Sequence, residues 1–127
     1  MPRQVAWKLR LKAESSAEVD ERLKPFLNLV TTARTGTPKQ CGERPELWEV
    51  SMTTEFASPP AQGLLQLLWT ADCLGSGWIV FGPNLWEDGE IAVFAGIFRI
   101  HRNSRAQVWG LEWASFDVAQ LPATGGA

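Results

Sequence analysis

Several residue types that commonly carry chemistry are scarce in this chain. It has no tyrosine, one histidine, His101, and two cysteines, Cys41 and Cys73, which lie far apart in the sequence. Neither cysteine has a second cysteine or a histidine within a few residues, so the sequence predicts no metal site. Since no export signal is present, we expect both thiols to be reduced.

Long apolar runs are also missing. No stretch approaches the roughly 18 uninterrupted apolar residues of a transmembrane helix, and residues 1–10 lack the apolar core of a signal peptide. We therefore expect a cytoplasmic protein without membrane contacts. Neither charge sign dominates, because the formal net charge is −2, and overall charge gives no support to general polyanion or nucleic-acid binding.

Tryptophan, in contrast, is abundant, with seven copies in 127 residues. Tryptophan is enriched in binding hot spots, but in a short chain it is more often part of the core. The composition is otherwise typical of a globular protein, with 45% hydrophobic and 20% charged residues. The length predicts a single domain over residues 1–127, long enough to bury about two-thirds of its unfolded surface.

The first half of the chain predicts two strands joined by a helix. Residues 4–13 and 47–56 alternate between apolar and polar side chains, and their polar faces are basic and acidic, respectively, which favours neighbouring strands. Ser15 followed by Glu18 is a capping box that starts the helix, which Pro25 is expected to kink or restart. If this helix is a right-handed crossover, the two strands run parallel.

Polar and apolar segments alternate through the next part of the chain. Residues 31–46 are rich in glycine, proline and charge, which indicates a mobile loop or, as the alternative, a functional one. Ser58 caps a second helix with Pro59 at its first position, and Gly75 ends it. This helix is almost wholly apolar, so we expect it to be the most buried element outside the C-terminal strands. The glycine-rich residues 122–127 predict a frayed tail.

Residues 77–118 predict three antiparallel strands in a meander, with a two-residue loop at Asn103 and Ser104. That loop would place three pairs on the core face: Phe98 with Trp109, Gly96 with Leu111, and Phe94 with Trp113. The complete prediction is an α+β fold in the order β-α-β-α-β-β-β, with two helices on one mixed, mostly antiparallel sheet of about five strands.

The second face of this meander is unusually apolar for an antiparallel sheet. It would carry the following residues: Ile91, Val93, Ala95, Ile97, Arg99, Val108, Gly110, Glu112, Ala114 and Phe116. We expect a cover over this face. Burial within the chain is the first expectation, and a homodimer or another protein is the alternative.

Catalytic candidates are weak. Cys73 and His101 are the one candidate pair for a nucleophile and base, but no cysteine-enzyme motif surrounds Cys73, and buried cysteines are usually inert. Glu112 with Glu55 or Asp117 offers paired carboxylates, yet their spacing does not distinguish them from ordinary surface charges. We therefore predict no catalytic residue, no cofactor and no enzyme activity.

An acidic loop with an aromatic residue is the first binding candidate. Trp86 lies beside Glu87, Asp88 and Glu90, and such a loop can neutralise a basic site on a partner. We predict that these residues, together with Glu112, contact a basic protein, with Trp86 as the main anchor.

A basic turn is the alternative site. Arg99, His101, Arg102 and Arg105 cluster near Trp109, and guanidinium groups beside an aromatic ring suit phosphate contact with base stacking. This pattern predicts a small-ligand or RNA-binding module, although a solvated turn is the simpler interpretation.

In general character the chain resembles the immunity proteins of bacterial polymorphic-toxin and contact-dependent-inhibition systems. It is short, mildly acidic, rich in tryptophan and without catalytic motifs. The resemblance extends over the whole chain but includes no family motif, so it transfers no functional residues. It implies a bacterial cytoplasmic protein that binds a cognate toxin and blocks its active site, which is often basic when the toxin is a nuclease.

Overall fold

The computed structural model, which describes residues 3–119, has two helices and a seven-stranded antiparallel sheet. Its elements are β1 (Arg3–Lys12), α1 (Ser16–Leu29), β2 (Arg34–Thr35), β3 (Lys39–Gln40), β4 (Leu47–Phe56), α2 (Pro60–Leu74), β5 (Gly75–Ser76), β6 (Ile79–Leu85), β7 (Ile91–Arg99), β8 (Arg105–Ala106) and β9 (Leu111–Ala119). The predicted α+β class with a mostly antiparallel sheet is confirmed. The predicted tail at 122–127 lies outside the described residues.

The sheet has the strand order β2-β4-β1-β9-β7-β6, and β3 also pairs with β4. A separate small ladder joins β5 to β8. Strand β1 therefore lies between β4 and β9, and its alternating side chains place Val5, Trp7, Leu9 and Leu11 in the core. The buried Trp7 indole Nε1 donates a hydrogen bond of 2.9 Å to Thr54 Oγ1, which satisfies a polar group that is costly to leave unpaired in the core.

Both helices pack on one face of the sheet, which we call the core face. Ser15 caps α1 as predicted, because its hydroxyl oxygen accepts a hydrogen bond of 3.2 Å from the backbone N–H of Glu18. Helix α1 continues through Pro25 without a restart. The predicted cap of α2 is wrong, since α2 starts after Pro59 with no side-chain cap. The two helices contribute six buried residues to the core, which pack against the sheet: Val19, Leu23, Phe26, Leu67, Ala71 and Leu74.

The prediction that β1 and β4 run parallel is wrong. They pair antiparallel, with Lys8 opposite Ser51 and Arg10 opposite Glu49. The reason lies in the segment after α1, where β2 and β3 both run antiparallel to β4 along its outer edge. This segment carries the chain back to the end of β1 before β4 begins. Residues 31–46 thus contain a broken edge strand, while their mobility stays a prediction.

The three C-terminal strands are neighbours, as predicted, but their register is wrong. Gly96 lies opposite Phe116, and Phe98 lies opposite Ala114. The cause is a longer connection than the predicted two-residue loop, because the chain forms β8 after the turn and only then begins β9. As a result, Phe116 and Ala114 belong to the core face, whereas Trp113 lies on the other face.

The second face of the sheet, which we call the open face, has no cover within residues 3–119. Val93 and Ile97 are exposed there, so the expected intramolecular cover is absent from the described part of the chain. Helix α2 is also less buried than predicted, with Leu65 70% exposed and Trp69 exposed beside it. Only one side of α2 packs on the core, and no described residue covers its outer side. No helix in residues 3–119 has the length and apolar character needed to cross a membrane.

Candidate functional site

The register of the sheet determines which side chains are neighbours on the open face, because residues paired across antiparallel strands point to the same side. One row across the sheet contains Thr53, Ala6, Asp117, Ala95 and Phe81. The next row contains Ser51, Lys8, Ser115, Ile97 and Ile79. Apart from Ala6, both rows are polar over β4, β1 and β9, and both become apolar over β7 and β6. The open face is thus divided into a polar half and an apolar half.

The apolar half ends at the free edge of the sheet. All seven residues of β6 are exposed, including Ile79 and Phe81, with Phe81 at 53%. The pairing of β6 with β7 is interrupted by a register shift between Phe81 and Asn84, where the chain passes through Gly82 and Pro83. No other described strand pairs with the outer side of β6. We call this strand, with Val93, Ala95 and Ile97 beside it, the apolar edge.

The predicted acidic loop directly follows the apolar edge and forms a compact turn. The backbone N–H of Trp86 donates to the carbonyl of Glu90 at 2.7 Å, and the N–H of Gly89 donates to the carbonyl of Trp86 at 2.9 Å. Asp88 Oδ1 accepts a third hydrogen bond from the N–H of Glu90. Gly89 has a φ of +87°, which favours glycine. The turn presents Trp86, 58% exposed, beside the exposed carboxylates of Glu87 and Asp88.

Glu90 differs from the other residues of this loop. Its carboxylate forms an ion pair of 3.3 Å with Nη2 of Arg3, whose side chain is only 9% exposed at the start of β1. Arg3 Nη1 is buried and has no hydrogen-bond partner in residues 3–119. Glu90 therefore attaches the loop to the sheet and compensates a nearly buried positive charge.

Glu112 lies far from the acidic loop, at the opposite end of β7. It lies where β9 begins, beside the end of β7, whereas the loop precedes the start of β7. The nine residues of β7 separate the two places by roughly 27 Å at the usual strand rise. Glu112 instead pairs with Lys12 Nζ at 3.1 Å and with Arg44 Nη1 at 3.5 Å. A role in partner binding stays a prediction, but these residues do not form one continuous surface.

The basic residues of the alternative site surround an ordered turn at the Glu112 end of the sheet. Ser104 fixes this turn, because its hydroxyl donates to the carbonyl of Arg99 and accepts from the N–H of His101, both at 2.8 Å. The side chains of Arg99, His101, Arg102 and Arg105 are exposed. Trp109 is 75% exposed, and the cation over its ring is Arg22, at 5.9 Å from the ring centroid.

The structure gives the candidate catalytic pair no support. Burial, and secondly the charge of Asp72, raise the pKa of the Cys73 thiol, which lowers the fraction of reactive thiolate. His101 Nδ1 accepts a hydrogen bond from the N–H of Asn103 within its own turn. Within residues 3–119, no three His, Cys, Asp or Glu side chains are grouped so that they could hold a metal ion.

One concave site was missed by the sequence analysis. It lies on the polar half of the open face, between β1, β4 and the edge segment that contains β3, and has a volume of about 620 Å³. Its charged lining residues are Lys8, Arg10, Lys39, Glu43, Arg44 and Glu49. We call this site the basic bowl. Its edge segment was predicted as a loop, because β2 and β3 are too short to produce a periodic pattern.

Comparison of the chain with protein-family models, with curated proteins and with solved structures found no match. The functional interpretation therefore depends on the geometry of these surfaces.

Proposed function

We propose that this chain is a protein-binding inhibitor that contacts its partner through the apolar edge and the adjoining acidic loop. The observation that carries this proposal is the exposure of every residue of β6, an edge strand with large apolar side chains. Contiguous exposed apolar surface with a polar rim is typical of protein interaction sites. A free strand edge also offers backbone groups with which a partner can pair.

Carboxylates around the apolar edge support a basic partner. Glu87 and Asp88 lie at one end of β6, and Asp117 lies opposite Ala95 of the apolar edge. Glu55 is exposed on the same face but farther away, on β4, which β1 and β9 separate from the apolar edge. None of these four carboxylates forms an ion pair within the described residues, in contrast to Glu90. Complementary charge of this kind increases the association rate and selects the partner.

Trp86 is the proposed anchor of the contact. Its side chain is 58% exposed and follows Leu85, which is exposed to a similar extent at the end of β6. Aromatic residues at the centre of an interface typically supply much of the affinity, because they bury a large rigid surface. The turn around Gly89 holds the backbone of Trp86 in place before binding, which reduces the cost of ordering the loop.

Within this class, we propose an immunity protein that neutralises a cognate bacterial toxin by covering a basic active site. The small size, the mild negative charge and the resemblance in general character support this assignment. The protein would act in the bacterial cytoplasm, without a cofactor and without catalytic activity of its own. Inhibition then requires only tight binding.

The test is a binding measurement with the product of the neighbouring reading frame, where a toxin gene is expected. Trp86→Ala should weaken the complex by about thirtyfold or more, as expected of a hot-spot residue. Glu87→Lys combined with Asp88→Lys should slow association, most strongly at low salt. Arg102→Glu, at the opposite end of the sheet, is the control and should leave protein binding unchanged.

Other occupants of the apolar edge would give different results. A complex whose mass depends on concentration, without a second protein, would indicate self-association through this edge. Capture of RNA or a metabolite and no protein from the native host, with loss of that binding in Arg102→Glu, would favour the alternative function at the basic turn. Either result contradicts the inhibitor proposal.

A further inference from the structure

We infer that the basic bowl binds a small polyanion that carries phosphate or carboxylate groups. Its volume of about 620 Å³ lies within the range of small-molecule sites in proteins. The bowl is far from the acidic loop along the strands, so this inference goes beyond the proposed protein contact and does not depend on it.

Cations line the bowl from two sides. Lys8 and Arg10 lie two residues apart on β1, so both point to the open face. Lys39 comes from β3 and Arg44 from the turn that follows it, on the opposite side of the bowl. A ligand within the bowl can therefore contact positive groups from the sheet and from the edge segment simultaneously.

The carboxylates that line the bowl do not balance these cations. Four cations and two carboxylates, Glu43 and Glu49, leave a formal charge of +2 on the lining. Glu49 is shared between Lys8 Nζ at 3.9 Å and Arg10 Nε at 3.5 Å, and both distances exceed those of a good hydrogen bond. Arg44 is already engaged by carboxylates outside the bowl, so Lys8, Arg10 and Lys39 are the main ligand-binding candidates.

Two contacts hold Arg10 in position, the ion pair with Glu49 and a contact with the Trp113 ring. Its guanidinium carbon lies 4.7 Å from the centroid of the Trp113 ring, a cation–π contact that restrains the side chain. Arg10 Nε is buried and has no hydrogen-bond partner among residues 3–119. Because Nε is buried and faces Glu49, a phosphate or carboxylate group in the bowl would bind the terminal Nη1 and Nη2 nitrogens of this restrained, partly exposed guanidinium.

Uncharged side chains also line the bowl, and one of them, Cys41, can be labelled to detect a bound ligand. Thr37, Gln40 and Ser51 line the bowl and can bind the uncharged part of a ligand. Cys41 also lines the bowl, while Cys73 lies in helix α2 outside it. Modification of Cys41 should therefore slow when the bowl is occupied, and Cys73 serves as an internal reference.

The test uses pyrophosphate and citrate as probes, measured by calorimetry at constant ionic strength. We expect at least one probe to bind, and Lys8→Gln combined with Lys39→Gln to weaken it about tenfold or more. Arg10→Gln should have a similar effect, with thermal unfolding as the check that it folds. Lys24→Gln removes one positive charge from an exposed position on α1, outside both the bowl and the basic turn, and is the matched control.

The two probes distinguish the ligand classes. Binding of pyrophosphate alone identifies a phosphate site, binding of citrate alone identifies a carboxylate site, and binding of both supports general polyanion recognition. In each case, the bound probe should slow labelling of Cys41 by N-ethylmaleimide relative to Cys73.

Three results would overturn the inference. These are failure of both probes to bind at millimolar concentration, a loss of binding in Lys24→Gln as large as in the bowl variants, and labelling of Cys41 that does not respond to a bound probe. Trp86→Ala should leave probe binding unchanged, so failure here is distinguishable from failure of the inhibitor proposal.

Discussion

The two ends of the sheet balance their charges differently. At the end that holds the acidic loop, Glu87, Asp88 and Asp117 have no ion-pair partner within residues 3–119 and adjoin exposed apolar side chains. At the other end, Lys12 and Arg44 are paired with carboxylates, and Arg44 also lines a concave polar site. A flat apolar edge suits a macromolecule, whereas a concave charged site suits a small ligand. The two ends of the sheet therefore support two separate proposals, a macromolecular partner at one and a small ligand at the other.

Two glycines, Gly96 in β7 and Gly42 in the segment between β3 and β4, give the largest expected difference in stability. A Cβ atom at Gly96 would overlap the buried Phe116 ring below the apolar edge, whereas a Cβ at Gly42 in the bowl has no neighbour within 4 Å. Gly96→Ala should reduce the free energy of unfolding by about 1–3 kcal/mol, because the core there has no room for an added carbon. Gly42→Ala should change it by less than about 0.5 kcal/mol. Urea denaturation of both variants tests this, and equal stabilities would show that Phe116 can move aside.

At the acidic end, Glu90 forms an ion pair with Arg3, whereas Glu87 and Asp88 are the carboxylates that we propose to contact the partner. Glu90→Gln leaves the nearly buried Arg3 guanidinium without its counter-charge, so we expect a loss of about 1 kcal/mol, reduced from the cost of a fully buried pair because Glu90 is half exposed. Glu87→Gln is the control, since Glu87 is exposed and forms no ion pair among the described residues. Thermal or urea unfolding measures both. If Glu90→Gln were as stable as Glu87→Gln, water would be sufficient to stabilise the positive charge of Arg3 without the Glu90 carboxylate.

The smallest effect is expected at Glu112, at the opposite end. Its carboxylate pairs with Lys12 and Arg44, but both cations are largely exposed, and ion pairs with exposed partners contribute little. Glu112→Gln should therefore reduce the free energy of unfolding by less than about 1 kcal/mol, and the reduction should shrink at high salt. Urea denaturation at low and high salt measures this effect. If Glu112→Gln lost more stability than Glu90→Gln, the ion pairs of Glu112 would contribute more to stability than the ion pair between Glu90 and Arg3.

The sequence predicted local features of this fold more successfully than directions and registers. The predicted charge complementarity between the first and fourth strands is confirmed at Glu49, which Lys8 and Arg10 both approach. It fails at Glu55, which lies opposite Gln4, and at Lys12, which pairs with Glu112 instead. Alternation and complementary charge are equally compatible with parallel and antiparallel neighbours, so they could not reveal the direction of pairing. The direction followed from β2 and β3, whose two-residue length leaves no periodic signal.

The error in the meander has a similar origin. The two-residue loop assumed at Asn103 and Ser104 lies within a longer connection, where Ser104 instead fixes the backbone through Arg99 and His101. A strand shifted by an odd number of residues turns each side chain to the opposite face. Trp113 was therefore predicted to lie in the core. Its position on the open face, where Arg10 lies over its ring, could not be predicted.

Both free edges of the sheet carry a proline, with consequences for assembly into larger structures. Pro83 lies within β6, and Pro38 lies between β2 and β3 on the other side. Proline has no backbone N–H, so an added strand cannot continue an unbroken hydrogen-bond ladder past either position. A short partner strand can still pair beside Ile79–Phe81. Growth of stacked sheets into fibres, which requires long regular edges, is opposed at both sides of the molecule.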